Sequence, residues 1–259
     1  MRARRLLVPA DVAGRRVLAD RDGLVVATIF YVLVSGVLAS LWRAAAGPHG
    51  ALAGYSGDAL TWYIVTSEAA VCALNIRLIE EVGDEIGSGA VAVEMLRPLP
   101  VVAVRLAVEA GRGLSRLAVL LGPGLVLAWW LAGPPPSALG AVLAVPSLVL
   151  GITANLGLQY VLAGAAFWLR DTKATWFLYQ KLVFILGGML LPLQVLPGAL
   201  RHVAFGLPFM AMAYAPARLA SGHVEPWLFL VQAGWLVVLT AAAAGVFALG
   251  QRRLQVVGG

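Results

Sequence analysis

Charge and cysteine are scarce in this sequence, and both shortages narrow what it can be. Only 12% of the 259 residues are charged, where a soluble domain carries roughly a quarter, and 61% are apolar. With a mean hydropathy of +0.87, the chain is too apolar for an ordinary soluble domain and reads as an integral membrane protein. The single cysteine, Cys72, cannot close an internal disulfide or contribute to a multi-cysteine zinc site. It falls inside an apolar run, where its ordinary role is that of a small buried residue. No G-x-x-x-x-G-K-S/T sequence occurs, so nucleotide phosphates cannot be cradled by that loop. The formal charge of +6 does not point to nucleic acid, because the basic residues stand beside apolar runs and form no long patch.

Apolar runs are what the chain has in abundance. Its 259 residues hold about six spans of about 20 residues with short connections, so 1–259 reads as one all-α membrane domain. The predicted spans are 24–42, 59–78, 106–131, 138–168, 174–193 and 227–249. The basic start, "MRARRLLVPADVAGRR", precedes an apolar run longer than a secretory core and followed by no convincing cleavage site. It reads as an interfacial helix ahead of a retained first span. "GPPPS" after span three makes a tight outer turn. Between spans five and six, Pro197, Pro208 and Pro216 interrupt a segment too long for a turn, which predicts a pair of short interfacial or re-entrant helices. Counting Lys and Arg with the N-terminus inside places sixteen on the inner side and three, Arg43, Arg201 and Arg218, on the outer side. That bias puts both termini in the cytoplasm.

On the same inner side, between spans two and three, "EEVGDEIGSGAVAVEMLRPLP" (80–100) holds five of the thirteen acidic residues. On a helix Ile79, Val82 and Ile86 share one face, while Glu80 stacks with Asp84 and Glu81 with Glu85 on the other. Like charges at that spacing cost an isolated helix about 0.2–0.5 kcal/mol per pair, and Gly83 weakens it further. Something outside the segment must therefore supply cations or order it. Flanked by Arg77 and Arg97 and ended by the rigid "RPLP", it reads either as a solvated loop or as a docking surface for a soluble partner.

Within the spans Glu68 is the most informative residue, since an acid at mid-helix costs about 3 kcal/mol on insertion scales unless it is paired or faces water. Thr61, Glu68, Cys72 and Asn75 fall along one face of span two, and Ser147, Gly151, Asn155 and Gln159 along one face of span four. One reading gives these stripes a share of a translocation path, with Glu68 orienting a cationic or polar substrate. The other gives them helix-to-helix hydrogen bonds, with Glu68 neutral or paired with Lys181. Trp62, Trp129, Trp130, Trp168, Trp176 and Trp227 lie mostly near span ends, as an aromatic belt does.

The order "TWYIVTSE", acidic turn, "SGAVAVEMLRPLP", "AFWLRDT", "LGGMLLPLQVLPGALRHVAFGLPF", "YAPARLASG" and a terminal "QVVGG" resembles the six-span permease subunits of type-2 ABC exporters, over essentially the whole chain. The resemblance implies a cytoplasmic coupling helix between spans two and three, seated in a cleft of a separate ATP-binding subunit. On this chain that role falls to Glu80, Glu81, Asp84, Glu85, Ile86 and Arg97. It also implies two ATPase copies that carry the ATP and Mg, no cofactor on this chain, and a second permease subunit, identical or similar. The setting would be the bacterial plasma membrane, the function export of an amphipathic small molecule, and the substrate path would run by Glu68, Thr61, Asn75, Asn155 and Gln159.

Two other classes remain open from the residues. A secondary transporter or channel subunit would keep Glu68 but need no acidic docking helix. A membrane serine protease built on Ser88 would need a base within reach, yet His49, His202 and His223 are all predicted on the opposite side.

Overall fold

The computed structural model describes residues 2–47, 50–91, 94, 100–169, 172–190 and 192–257. It is all-α apart from one minimal hairpin. The helices are α1 (Arg2–Ala19), α2 (Arg21–Ala46), α3 (Gly57–Cys72), α4 (Leu78–Gly87), α5 (Val101–Ala132), α6 (Ala138–Ala163), α7 (Lys173–Leu186), α8 (Gly198–Gly206), α9 (Phe209–Met212), α10 (Tyr214–Ala220) and α11 (Trp227–Val257). Short polar residues start three of the long ones. Asp20, Ser56 and Ser137 each accept a bond from the backbone N–H three residues on, at 3.1–3.2 Å, satisfying donors that the first turn leaves free. The hairpin pairs Ala51 with Ser56 and Leu52 with Tyr55 around Ala53 and Gly54, both at positive φ as a two-residue hairpin turn requires.

Among the described residues four helices are long and apolar enough to cross a membrane: α2, α5, α6 with the 3-10 turn that continues it to Phe167, and α11. Two predicted spans are shorter than expected. The segment predicted at 59–78 stops at Cys72, and the one at 174–193 stops at Leu186. Their 16 and 14 residues reach only about 24 and 21 Å against a hydrocarbon core of about 30 Å. Polar capture of the chain ends both. After α3, Arg116 donates to the carbonyls of Leu74 at 3.1 Å and Ala73 at 3.5 Å, and Asn75 Oδ1 accepts the Arg77 N–H at 3.0 Å in a side-chain-mimicked turn. After α7, Gly188 takes φ +69°, and its carbonyl accepts the Tyr63 hydroxyl where the helix has ended.

α3 is the centre of the bundle. Every residue from Ala59 to Ala70 is buried, and α2, α5, α6 and α10 all pack on it. Its residues divide between two apolar clusters, Leu60, Tyr63 and Ile64 in one and Trp62, Val65, Ala69 and Ala70 in the other. Lipid tails are as apolar as these side chains, so the packing gains little from the hydrophobic effect and depends on close contact and interhelical hydrogen bonds. Tyr31 on α2 supplies one such bond, to the Val65 carbonyl at 2.9 Å. Gln232 on α11 supplies others, reaching the carbonyls of Ala211 and Ser147 at 2.8 and 2.9 Å. The three short helices α8 to α10 lie in the proline-broken segment; α9 and α10 are buried within the bundle, against α6.

One end of the bundle carries α4, the basic first turns of α5, and the contact of Gly250 with Phe167 that joins α11 to the end of α6. The hairpin, α10 and the turn after α5 gather at the other end, where Arg43 bonds Asp58 and the Leu131 carbonyl. α1 runs along the start of α5. The crossing is tight because Gly111 leaves no side chain between the helices: a Cβ there would collide with the Ala10 backbone. Substituting Gly111→Leu therefore lifts α1 off α5, with an expected loss of roughly 1–3 kcal/mol, the usual range for overpacking. Faster proteolysis or hydrogen exchange confined to α1 is the expected readout.

Candidate functional site: a side cavity and an acidic helix

A cavity of about 750 Å³ lies between α2 and α7, with α3 and α6 behind it. Phe30, Leu33 and Val37 form part of its α2 wall and are exposed, so the cavity opens to the side of the bundle. Glu68, Asn75, Asn155 and Gln159 all line it. Four of the five residues predicted on a substrate path thus meet in one place. Thr61 does not, being fully buried with its hydroxyl donating to the Gly57 carbonyl one turn back.

The polar atoms of the cavity are unequally satisfied. Asn155 Oδ1 accepts from Gln159 Nε2 at 3.3 Å and from the Tyr179 hydroxyl. Glu68 Oε1 and Gln159 Oε1 are buried with no hydrogen-bond donor among the described residues. Lys181 does not pair with Glu68, since its ammonium sits 5.0 Å from the centre of the Phe177 ring. Cys72, expected to be an ordinary buried residue, is half-buried and lines the cavity. Ser147 leaves the predicted stripe on α6 for a 2.9 Å bond to Gln232, and Gly151 faces the carbonyls of Ala211 and Met212.

α4 forms as the spacing predicts, with Leu78, Ile79, Val82 and Ile86 buried and Glu81 and Asp84 exposed. Ile79 enters one apolar cluster and Leu78, Val82 and Ile86 the other, so α4 rests on both halves of the core. Ile86 therefore faces this chain's interior and holds the helix down; it is not part of the exposed surface. The missing cation is Arg105, on the first turns of α5. Its Nε lies 2.7 Å from Glu94, and its Nη2 lies 2.6 Å from Glu85, a close ion contact too bent to be a good hydrogen bond. Glu80 lies 3.4 Å from Arg77, and Glu81 accepts a 2.7 Å bond from Asn75. Arg97 lies outside the described residues. Periodicity could not have found Arg105, Arg116 or Tyr179, because each matters through a partner distant in sequence.

Two features of the sequence have other environments. Ser88 donates to the Glu85 carbonyl, while His202 contacts the Gly198 carbonyl, and His223 packs at a tilt against Tyr55 beside Ser221. No described histidine is a base for Ser88. Burial, with the nearby Arg218 guanidinium adding to it, pushes the His223 imidazole below its usual range. Trp62 is buried within α3 and belongs to no belt, whereas Trp129, Trp130, Trp168 and Trp227 are exposed as a belt requires. Among the described residues no group of three or more His, Cys, Asp or Glu could hold a metal ion.

The family model described as ABC-2 family transporter protein matches residues 24–258. The chain belongs to the ABC-2 transporter family. Members of this family are membrane transport subunits, not catalytic ones, and typically work with an ATPase subunit; the apolar helices of this chain agree with a multi-pass membrane permease. No curated protein matches the chain.

In this ABC-2 permease Gly83 has a role that its helix propensity hides. Replacing a mid-helix glycine by alanine ordinarily stabilises by about 1 kcal/mol. Here a Cβ would collide with the Thr172 side chain, just before α7. Gly83→Ala is therefore expected to lower the thermal unfolding midpoint, and a companion Thr172→Ser change, which removes the methyl group, to recover part of the loss.

Proposed function

We propose that this ABC-2 permease is the membrane subunit of an ATP-driven exporter, and that α4 is the helix that docks into the ATPase. The observation that carries the proposal is the construction of α4. Its apolar face rests on both core clusters, Arg105 fastens it to α5, and Glu81 and Asp84 stay exposed. A solvated loop would need none of those attachments. Force applied to α4 would reach α5 through Arg105 and α3 through the 73–77 turn.

The fuller assembly follows the family. Two ATPase subunits bind ATP and Mg, and a second permease, identical or similar, faces this one. α3 and α7 complete six crossings together with the four long helices, α1 lies at the inner interface, and α8 to α10 form the re-entrant group on the outer side. Both termini are then cytoplasmic in a bacterial plasma membrane, and the cavity beside Glu68 forms part of the path for an amphipathic small molecule. The exposed apolar side chains Val26, Phe30, Leu33 and Val37 on α2 suit lipid or a second permease beside the cavity.

Charge reversal on the exposed face separates this proposal from a secondary transporter, which needs no docking helix. Glu81→Lys with Asp84→Lys is expected to abolish co-purification with the partner ATPase, and ATP-dependent transport with it, while the unfolding midpoint of the isolated permease changes little. Undiminished ATPase binding and transport in that double variant would remove the docking role.

A further inference from the structure

We infer that the side cavity is a binding site for a lipophilic organic monocation, with Glu68 as its counter-charge. The inference deepens the proposed substrate path and rests on that reading for its transport role, though not for the binding itself. Its basis is the mismatch between the cavity's shape and its unsatisfied groups. At about 750 Å³ the cavity is in the range that holds drug-sized molecules, and most of its walls are apolar, from Phe30 and Leu33 on α2 to Val183 and Phe184 on α7. Glu68 stands at the back of it, 2% exposed, with one carboxylate oxygen lacking any donor among the described residues.

A structural carboxylate at this depth would be paired, since an uncompensated polar group in hydrocarbon is costly. Neither the Lys181 ammonium nor the Arg116 guanidinium pairs with it. Lys181 is turned onto Phe177. Arg116 lines the same cavity but gives its guanidinium to the carbonyls of Ala73 and Leu74 at the C-terminal end of α3, where the helix dipole already favours a cation. Gln159 contributes a second free acceptor, its Oε1, 1% exposed. Two acceptors without donors inside an apolar cavity select for a positively charged or donor-rich head on an apolar body. An anion of the same size would meet the Glu68 carboxylate at the buried back of the cavity, while the Nη1 of Arg116 is held by the Ala73 and Leu74 carbonyls.

The test compares two probes of the same shape and opposite charge, tetraphenylphosphonium and tetraphenylborate, on the full-length permease in lipid nanodiscs without any ATPase. Displaceable tetraphenylphosphonium binding is expected at wild type. Glu68→Gln, which keeps size and hydrogen-bonding capacity, should weaken it at least tenfold, and Glu68→Asp should retain most of it. Tetraphenylborate should bind wild type no better than Glu68→Gln. Equal displaceable binding of the two ions at wild type, absence of tetraphenylphosphonium binding, or an unchanged affinity in Glu68→Gln would each overturn the inference. An unaltered unfolding midpoint in Glu68→Gln shows that the variant reports on the site and not on the fold. Because no ATPase is present, failure of the α4 docking experiment leaves this result intact. Cation binding without transport by the whole complex would sink only the cavity's place on the path.

Discussion

Enclosure of α3 is the constraint on which the rest of the structure depends. A helix in hydrocarbon satisfies its own backbone, but any polar side chain it carries must find partners among its neighbours. Because α3 is covered from Ala59 to Ala70, its polar groups face protein or the cavity, and the surrounding elements are arranged to meet them. The Ser67 hydroxyl bonds the Ile64 and Met189 carbonyls at 3.0 and 3.3 Å, and Tyr63 bonds the Gly188 carbonyl after α7. Glu68 Oε1 and the Trp62 indole N–H are left without partners among the described residues, and the space beside Glu68 is the cavity.

The same helix explains how the two parts of the site belong together. The turn after α3 leads directly into α4, and Arg116 grips that turn from α5. Arg105, about three turns earlier on α5, grips Glu85 and Glu94. Two arginines on one helix thus fasten both the end of α3 and the far side of α4. In the proposed exporter, a displacement of α4 by the ATPase cannot leave α3, or the Glu68 wall of the cavity, where it was.

Much of this was legible in the sequence, and the remainder failed for identifiable reasons. Long apolar runs located α2, α5, α6 and α11, since length and composition suffice when a helix crosses alone. The same criterion overran α3 and α7, because what ends them is a bond from Arg116 in one case and Tyr63 in the other, each from a residue far along the chain. The period of 3.6 gave the two faces of α4 and placed Ile86 on the apolar one, where it is buried; it was the resemblance that grouped Ile86 with the docking residues. Glu68 stood out by cost alone, and its companions Asn75, Asn155 and Gln159 by their stripes. Thr61 belonged to the same stripe but satisfies itself within α3, and Tyr179 carried no polar signal strong enough to be noticed in an apolar run. The two-residue strands at 51–52 and 55–56 are too short to show a period in the sequence.

Propensity and packing pull in opposite directions along α4. Stacked acids and a central glycine make it a poor isolated helix, whereas its contacts with Thr172, both core clusters and Arg105 hold it in one position. Rigidity supplied from outside the segment is what a force-transmitting element needs. The most direct measurement of that account is the number of substrate molecules moved per ATP hydrolysed by the reconstituted exporter carrying Arg105→Gln. Assembly with the ATPase and ATP hydrolysis are expected to persist while transport per ATP falls at least tenfold. Unchanged transport per ATP would contradict the claim that motion enters the bundle through this arginine.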